Sequence, residues 1–329
     1  MNVAITGGAG FLGHLLARRL LERGSLTGAD GTGQPIERLV LVDAVEPPAL
    51  SDPRVTAIAG DLADPAVTAR AISRDTDSVF HLAAVVSGQA ETDFDLGMRV
   101  NLDATRLLLE ACRALARPPR VVFTSSVAVY GGDVAAGVTD DTALTPQNSY
   151  GAQKAIAELL LADYTRKGFI DGRALRLPTI SVRPGKPNRA ASSFASGIVR
   201  EPLAGIEAIC PVRPDTRIWI ASPRKAVEFL IHGHELAPDA LGYRRSINLP
   251  GICVSAAEIV AALERVAGAQ VARRVRWEVD PPIDRIVRSW PGSWDSARAL
   301  GLGFTGDADF DSIIRAHIAD EHCGQAPTA

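Results

Sequence analysis

Four groups of residues in this chain have the types and spacing to do chemistry. Thr6-Gly7-Gly8-Ala9-Gly10-Phe11-Leu12-Gly13 puts glycines three apart, directly after a short apolar run. Gly7 permits a tight turn, Gly10 lets a pyrophosphate approach the backbone, and Gly13 lets a helix pack closely on a strand. The exposed N–H groups and positive dipole end of that helix suit phosphate. Asp43 ends the next apolar run, Leu39-Val40-Leu41-Val42. A carboxylate there accepts hydrogen bonds from adenosine ribose hydroxyls and repels a 2′-phosphate. Its distance from Gly13 is longer than usual, and a Gly/Thr/Asp-rich loop at Gly24 to Ile36 accounts for the excess. Asp61, in Gly60-Asp61-Leu62, would bring a second carboxylate near the adenine amino group.

The third group is Tyr150-x-x-x-Lys154. Residues at i and i+4 share one helix face. An ammonium beside a phenol favours the phenolate and lowers its pKa from about 10, which makes Tyr150 a general base near neutral pH. The fourth is Ser125-Ser126, at the end of the run Val121-Val122-Phe123-Thr124. In open α/β sheets ligands bind at the carboxyl ends of strands, so one of these hydroxyls can hold a substrate oxygen beside the tyrosine.

The elements that must position these groups alternate in type. Short apolar runs lie at Val3–Thr6, Leu39–Val42, Val55–Ala59, Ser78–Leu82, Val121–Thr124 and Ala174–Ile180. Helical patterns separate them at residues 11–23, 94–115 and 149–167. This order predicts parallel strands with crossover helices, an α/β doubly wound sheet. After Leu177 the pattern breaks at Pro178, Pro184, Pro187, Pro202, Pro211, Pro214 and Pro223, which predicts a smaller, loop-rich second lobe. The expected division is residues 1–177 and 178–329, with Ser246–Leu249 returning to the sheet. Ser255, Glu258 and Gly268 mark the start and stop of a helix, and the last six residues look frayed.

Composition narrows the function further. The 329 residues are 47% hydrophobic and 22% charged, which is globular rather than disordered. Lys and Arg number 35 against 38 Asp and Glu, for a net charge of −3, so no basic excess favours nucleic acid. Cys112, Cys210, Cys253 and Cys323 are widely spaced and read as ordinary reduced thiols, without a metal or redox pair. No apolar run has membrane or signal-peptide length, so no membrane association and a cytoplasmic location are expected. His81, in VFHLAA, reads as a structural residue, His14 as a surface or interface side chain, and Trp290 and Trp294 as core packing. The remaining histidines form no ligand set, and no metal is expected.

The stretches TGGAGFLG, LVLVDA, GDLAD, VFHLAA, FTSSVAVYG and SYGAQK, with Asn101 in RVNLDAT, resemble the extended short-chain dehydrogenase/reductases, the family of NAD-dependent epimerases and dehydratases. The resemblance spans roughly the first 180 residues, in the family's order. It implies a Rossmann-type fold and a catalytic set of Ser126, Tyr150 and Lys154. It implies NAD as cofactor, held by Gly7, Gly10, Phe11, Leu12, Gly13, Asp43, Asp61, Leu62, Ala83, Tyr150, Lys154 and Pro178. Ser126 is preferred to Ser125 for its register four residues before Tyr130, and Ser125 stays open. Thr124 is not followed by the Asp-Glu pair of the family's sugar dehydratases, which argues against water elimination.

Residues 84–91, 177–188, 191–194, 200–205 and 219–224, with Leu249-Pro250-Gly251, resemble the members of this family that oxidise D-erythronate, a short polyhydroxy acid, at C2 to 2-oxo-erythronate. Ser87, Ser126 and Tyr150 would then touch the substrate by the family's site plan. Arg183 is added as a carboxylate ligand; an ion pair at the domain junction is the other reading of it. The family also suggests a homodimer through the helices at 94–115 and 149–167. Two alternatives stand beside the dehydrogenase: a nucleotide-sugar 4-epimerase with tightly bound NAD, and a non-catalytic NAD-sensing regulator.

Overall fold

The structure is a computed structural model and describes residues 1–132, 137–185 and 190–321. His322, Cys323 and the frayed last six residues expected from the sequence lie outside the described residues. The chain forms two compact units. Unit 1 is Met1–Ser126, Ala152–Arg176 and Val227–Ile247; unit 2 is Val127–Gly151, Leu177–Ala226 and Asn248–Ala329.

The first unit is built on a seven-stranded sheet. Its strands in chain order are β1 (Asn2–Thr6), β2 (Arg38–Asp43), β3 (Val55–Ala59), β4 (Ser78–His81), β5 (Arg120–Ser126), β6 (Asp171–Leu177) and β7 (Ser246–Asn248). Their spatial order is β7-β6-β5-β4-β1-β2-β3. The β1–β2, β1–β4, β2–β3 and β4–β5 pairings are parallel, as the alternating runs predict. Central strands are buried on both faces and therefore read as unbroken Val/Ile/Leu runs. The strand order reverses beside β1, between β1 and β4, and the carboxyl ends at such a reversal are where these sheets bind ligands.

The helices that matter for function are α1 (Phe11–Arg23), α2 (Pro65–Ala71), α3 (Ala104–Arg113) and α4 (Ser149–Arg166). Asp64 caps α2 by accepting from Ala66 N–H at 2.8 Å, with Pro65 at the first helical position. Two expectations need correction here. The loop at Gly24–Ile36 contains a two-stranded hairpin, Ser25–Thr27 with Gly33–Pro35. The single helix expected over 94–115 is interrupted: Phe94–Gly97 leads into a π-helical turn, Met98–Asp103, before α3 begins. The wider turn lets the buried Asn101 amide reach sideways. It accepts from Val85 N–H at 2.9 Å and donates to Val85 C=O at 3.2 Å and to Gln153 Oε1 at 2.8 Å, pinning the loop after β4.

Within the second unit, Ile252–Ser255, Arg217–Ala221 and Thr179–Ile180 form a three-stranded sheet. The proline-rich stretch is more ordered than expected. It holds α5 (Phe194–Leu203) and leads into α6 (Pro223–Glu235), because Pro223 opens its helix rather than interrupting it. Helix α7 (Ala256–Ala267) begins with the full capping box, Ser255 and Glu258 each bonding the other's backbone N–H. Trp290 and Trp294 are both buried. The Trp219 and Trp294 indoles donate to the same carbonyl, Leu249 O, at 3.3 and 2.7 Å.

Two neutral histidines are locked inside unit 1. The His81 ring bridges Thr6 Oγ1, 2.7 Å from Nδ1, and Thr105 Oγ1, 2.9 Å from Nε2. Thr6 Oγ1 also accepts from Leu82 and Ala83 N–H, and the Thr105 hydroxyl donates to Asn101 O, so each hydroxyl's role is set. His81 must then accept at Nδ1 and donate from Nε2, which leaves no place for a second proton. Burial, and then the nearby Lys154 charge, push its pKa down to about 3. His234 bonds Ser78 Oγ at 2.8 Å and stacks on Phe80; burial and the flanking Arg120 and Arg173 hold it well below the usual histidine range. Both folded values lie below the unfolded 6.5, so unfolding takes up protons as pH falls below 6.5. We therefore expect the stability these rings contribute to be complete above pH 6.5 and to be lost progressively below it. Urea unfolding at pH 5.5 should give a stability at least about 2 kcal/mol below that at pH 7.5, and His81→Gln should roughly halve the difference, leaving the part due to His234. Equal stabilities at the two pH values would contradict this account.

Candidate active site

The glycine turn between β1 and α1 has the shape a pyrophosphate requires. Gly7 takes φ 74°, and Gly10 N–H closes the turn on Gly7 O at 3.0 Å. A Cβ on Gly13 would lie 2.1 Å from Gly7 O, so the helix can approach the turn only without a side chain there. Helix α1 starts at Phe11 with Gly10 before it and no side chain capping its first turn. Asp43 reaches the same turn: its Oδ2 accepts from Ala9 N–H at 3.1 Å. These are features of this structure, independent of any likeness, and they fit a dinucleotide. Asp61 accepts from Ala63 N–H and pairs with Arg99; Leu62 is buried; Ala83 N–H is held on Thr6 Oγ1. Ser87 is buried at the first position of a short helix, just beyond the loop that Asn101 pins. Among the described residues no cluster of His, Cys, Asp or Glu could hold a metal ion.

The carboxyl end of β5 is gripped by α4. Lys154 Nζ donates to Thr124 O at 2.8 Å and sits 4.5 Å from the Phe123 ring centroid. Burial of this ammonium pulls its pKa down to about 7, and the Glu158 carboxylate opposes the fall. One residue further along β5, the Ser125 hydroxyl donates to Glu158 Oε1 at 2.5 Å. Glu158 is also bound by Arg176 of β6, through Nε at 2.9 and 3.1 Å and Nη2 at 2.6 Å. Ser125 is thus buried and committed to Glu158, whereas Ser126 is half-buried at the strand's last position.

Unit 2 carries Tyr150, Pro178 and Arg183. Tyr150 stands in the first turn of α4, four residues and about one turn before Lys154. Asn148 caps that turn by accepting from Gly151 N–H at 2.8 Å. A Cβ on Gly151 would fall 2.0 Å from Ala128 O, so only glycine lets the helix start against this backbone. Pro178 links β6 to the short strand Thr179–Ile180. The Arg183 guanidinium donates to Ile180 O at 2.9 Å and to Ser192 Oγ at 3.2 Å. Burial lowers its pKa, and attraction to an ionised Tyr150 acts in the opposite sense, so the two groups lie within electrostatic reach.

Sequence reasoning passed over Glu158, Arg176, Gly151, Asn148 and Ser192. One signal for Glu158 was present: it continues the spacing 150, 154, 158 along one helix face. Gly151→Ala should push the start of α4 off Ala128 and displace the Tyr150 phenol. A shift near 1 Å is enough to slow turnover by about 100-fold. NAD affinity should change by no more than a few-fold, because the glycine turn is elsewhere. Titrating NAD fluorometrically and measuring kcat on the same variant checks both; wild-type turnover would remove Gly151 from the positioning of Tyr150.

Comparison with known proteins agrees with this geometry. Residues 3–211 match the NAD dependent epimerase/dehydratase family. The chain is 63% identical over 320 residues to a D-erythronate dehydrogenase of Cupriavidus necator, covering 97% of this chain and 98% of that one. It is 45% identical over 319 residues to a D-erythronate dehydrogenase of Haemophilus influenzae, covering 97% and 99%. Among solved structures, a nucleoside-diphosphate-sugar epimerase from Agrobacterium tumefaciens superposes with a TM-score of 0.93 at 45% identity, covering 99% of this chain and 96% of that one. The glycine turn, Asp43 and the helix that carries Tyr150 and Lys154 all lie within the matched span, and the chain belongs to the NAD dependent epimerase/dehydratase family, with NAD as its cofactor.

Proposed function

We propose that this chain oxidises D-erythronate at C2, giving 2-oxo-erythronate. The observation that carries the reading is the 63% identity, over nearly the whole of both chains, to a D-erythronate dehydrogenase. NAD, when bound, supplies the two-electron acceptor that takes hydride from the carbinol carbon. Tyr150 receives the hydroxyl proton, since its phenolate is favoured by Lys154 on its own helix face and by Arg183. Ser126 donates to the reacting oxygen and fixes which carbon is oxidised, and Ser87 contributes to the same pocket wall. Lys154 also holds the nicotinamide ribose, and Asp43 takes the adenosine ribose hydroxyls. Arg183 binds the substrate carboxylate; Ile180 O and Ser192 Oγ orient its fork for two parallel hydrogen bonds.

The enzyme works as a homodimer in the cytoplasm on this reading. Ile156 and Leu159 stand exposed, three residues apart, on α4, as a helix buried in a partner would have them. No helix among the described residues is long and apolar enough to cross a membrane.

A second reading, nucleotide-sugar epimerisation, is favoured by the likeness to the nucleoside-diphosphate-sugar epimerase from Agrobacterium tumefaciens. The two separate in one assay. D-erythronate, D-threonate, L-threonate and L-threonine are offered with NAD, and UDP is added as inhibitor. We expect NADH from D-erythronate with little inhibition by UDP. Strong UDP inhibition with no NADH from any acid would transfer the chain to the second reading. In the same assay Tyr150→Phe should abolish nearly all turnover.

The carboxylate role of Arg183 has its own consequence. Arg183→Lys should raise KM for the acid with a smaller effect on kcat, because a point charge cannot reproduce a bidentate fork. Arg183→Ala should cost roughly 2–4 kcal/mol in kcat/KM. Wild-type kinetics in both variants would place the carboxylate elsewhere.

A further inference from the structure

Glu158 and Arg176 form a pair that stability alone does not explain. Their side chains are 3% and 8% exposed and share three hydrogen bonds. Taking two charges out of water costs about as much as their attraction returns, and an apolar pair of the same volume often serves the fold as well. What an apolar pair cannot do is present a negative charge. Glu158 lies one turn beyond Lys154 on the same face of α4, and it is the described carboxylate acting on that ammonium. It also receives the Ser125 hydroxyl, the residue next to Ser126, while Lys154 holds Thr124 O. Two side chains of one helix thereby clamp successive residues at the end of β5.

We propose that Glu158, anchored by Arg176, is a positioning residue: its carboxylate keeps Lys154 charged in its buried seat and, through Ser125, fixes the strand end that carries Ser126. The inference rests on Tyr150 being the base. Other titratable groups face Lys154 from the elements around it. Tyr150 is on the same helix. His81 comes from β4 and is neutral, since its two ring nitrogens are both committed to hydroxyls. Arg176 comes from β6, behind Glu158, and its positive charge is met by the carboxylate. The attractive charge in this set is that of Glu158. Without it the buried ammonium loses its proton more readily, and the phenolate of Tyr150 loses its stabilising partner. The Tyr150 titration must then move to higher pH.

The test reads that titration directly. Phenolate absorbance is followed against pH in NAD-loaded protein, wild type minus Tyr150→Phe, which requires no substrate. Glu158→Gln leaves Arg176 buried without its partner and can weaken the fold. The double variant Glu158→Gln/Arg176→Met therefore removes both charges together. We expect its Tyr150 titration to rise by about one pH unit, with turnover near pH 7 falling about tenfold and recovering at high pH. Glu158→Asp, which keeps the charge, should restore most of the wild-type position. A folded double variant that titrates as wild type does, with turnover lowered equally at all pH values, would reduce the pair to a structural role and overturn the proposal. Failure of the parent reading looks different: Tyr150→Phe would then retain turnover, or its absorbance would show no phenolate to subtract.

Discussion

A buried ammonium is the constraint around which this molecule is organised. Lys154 is 2% exposed, and so high a desolvation cost is tolerable only where every neighbour is arranged for it. Thr124 O accepts its hydrogen bond, the Phe123 ring faces it, Glu158 opposes its loss of charge and His81 stays neutral beside it. Strand β5 must end where it does for Thr124 to be available, and α4 must begin at Asn148 for Tyr150 to stand one turn before the lysine.

The same cluster explains why two adjacent serines have different fates. A strand alternates its side chains between faces, so Ser125 and Ser126 cannot both point the same way. Ser125 turns to Glu158 and becomes part of the clamp. Ser126, at the last position of β5, falls on the other side. The parallel sheet lines these strand ends up along one edge, beside the glycine turn.

A chain of hydrogen-bonded side chains ties the elements around the site together. The chain Ala83 N–H, Thr6, His81, Thr105, Asn101 runs from the loop after β4 to the π-helical turn, and each hydroxyl in it both donates and accepts. Asn101 then closes back on Val85. One turn of altered helix geometry is exchanged for an amide that can reach two elements at once. The histidine that sequence reading took as structural is the centre of this chain.

Much of this was legible in the sequence because the signals are local. Glycine spacing after an apolar run, apolar runs separated by helical patterns, and Tyr and Lys one helical turn apart follow from backbone sterics and from the 3.6-residue period, and these need no knowledge of what lies opposite. The family resemblance rests on those same stretches. Other features depend on contacts between residues far apart in the chain, and the tertiary structure alone decided them. Arg176 meets Glu158 because β6 lies beside β5, and nothing in the local pattern around either residue says so. Gly151 looks like any helical glycine until Ala128 O is found where its Cβ would be. The engagement of Ser125 by Glu158, and the interruption at Met98–Asp103, likewise depend on partners on other elements, Glu158 for the first and Val85 and Gln153 for the second. The sequence by itself determined the periodic elements and the chemical types; which of those types are brought within hydrogen-bonding distance was decided by the packing of strands and helices across the sheet.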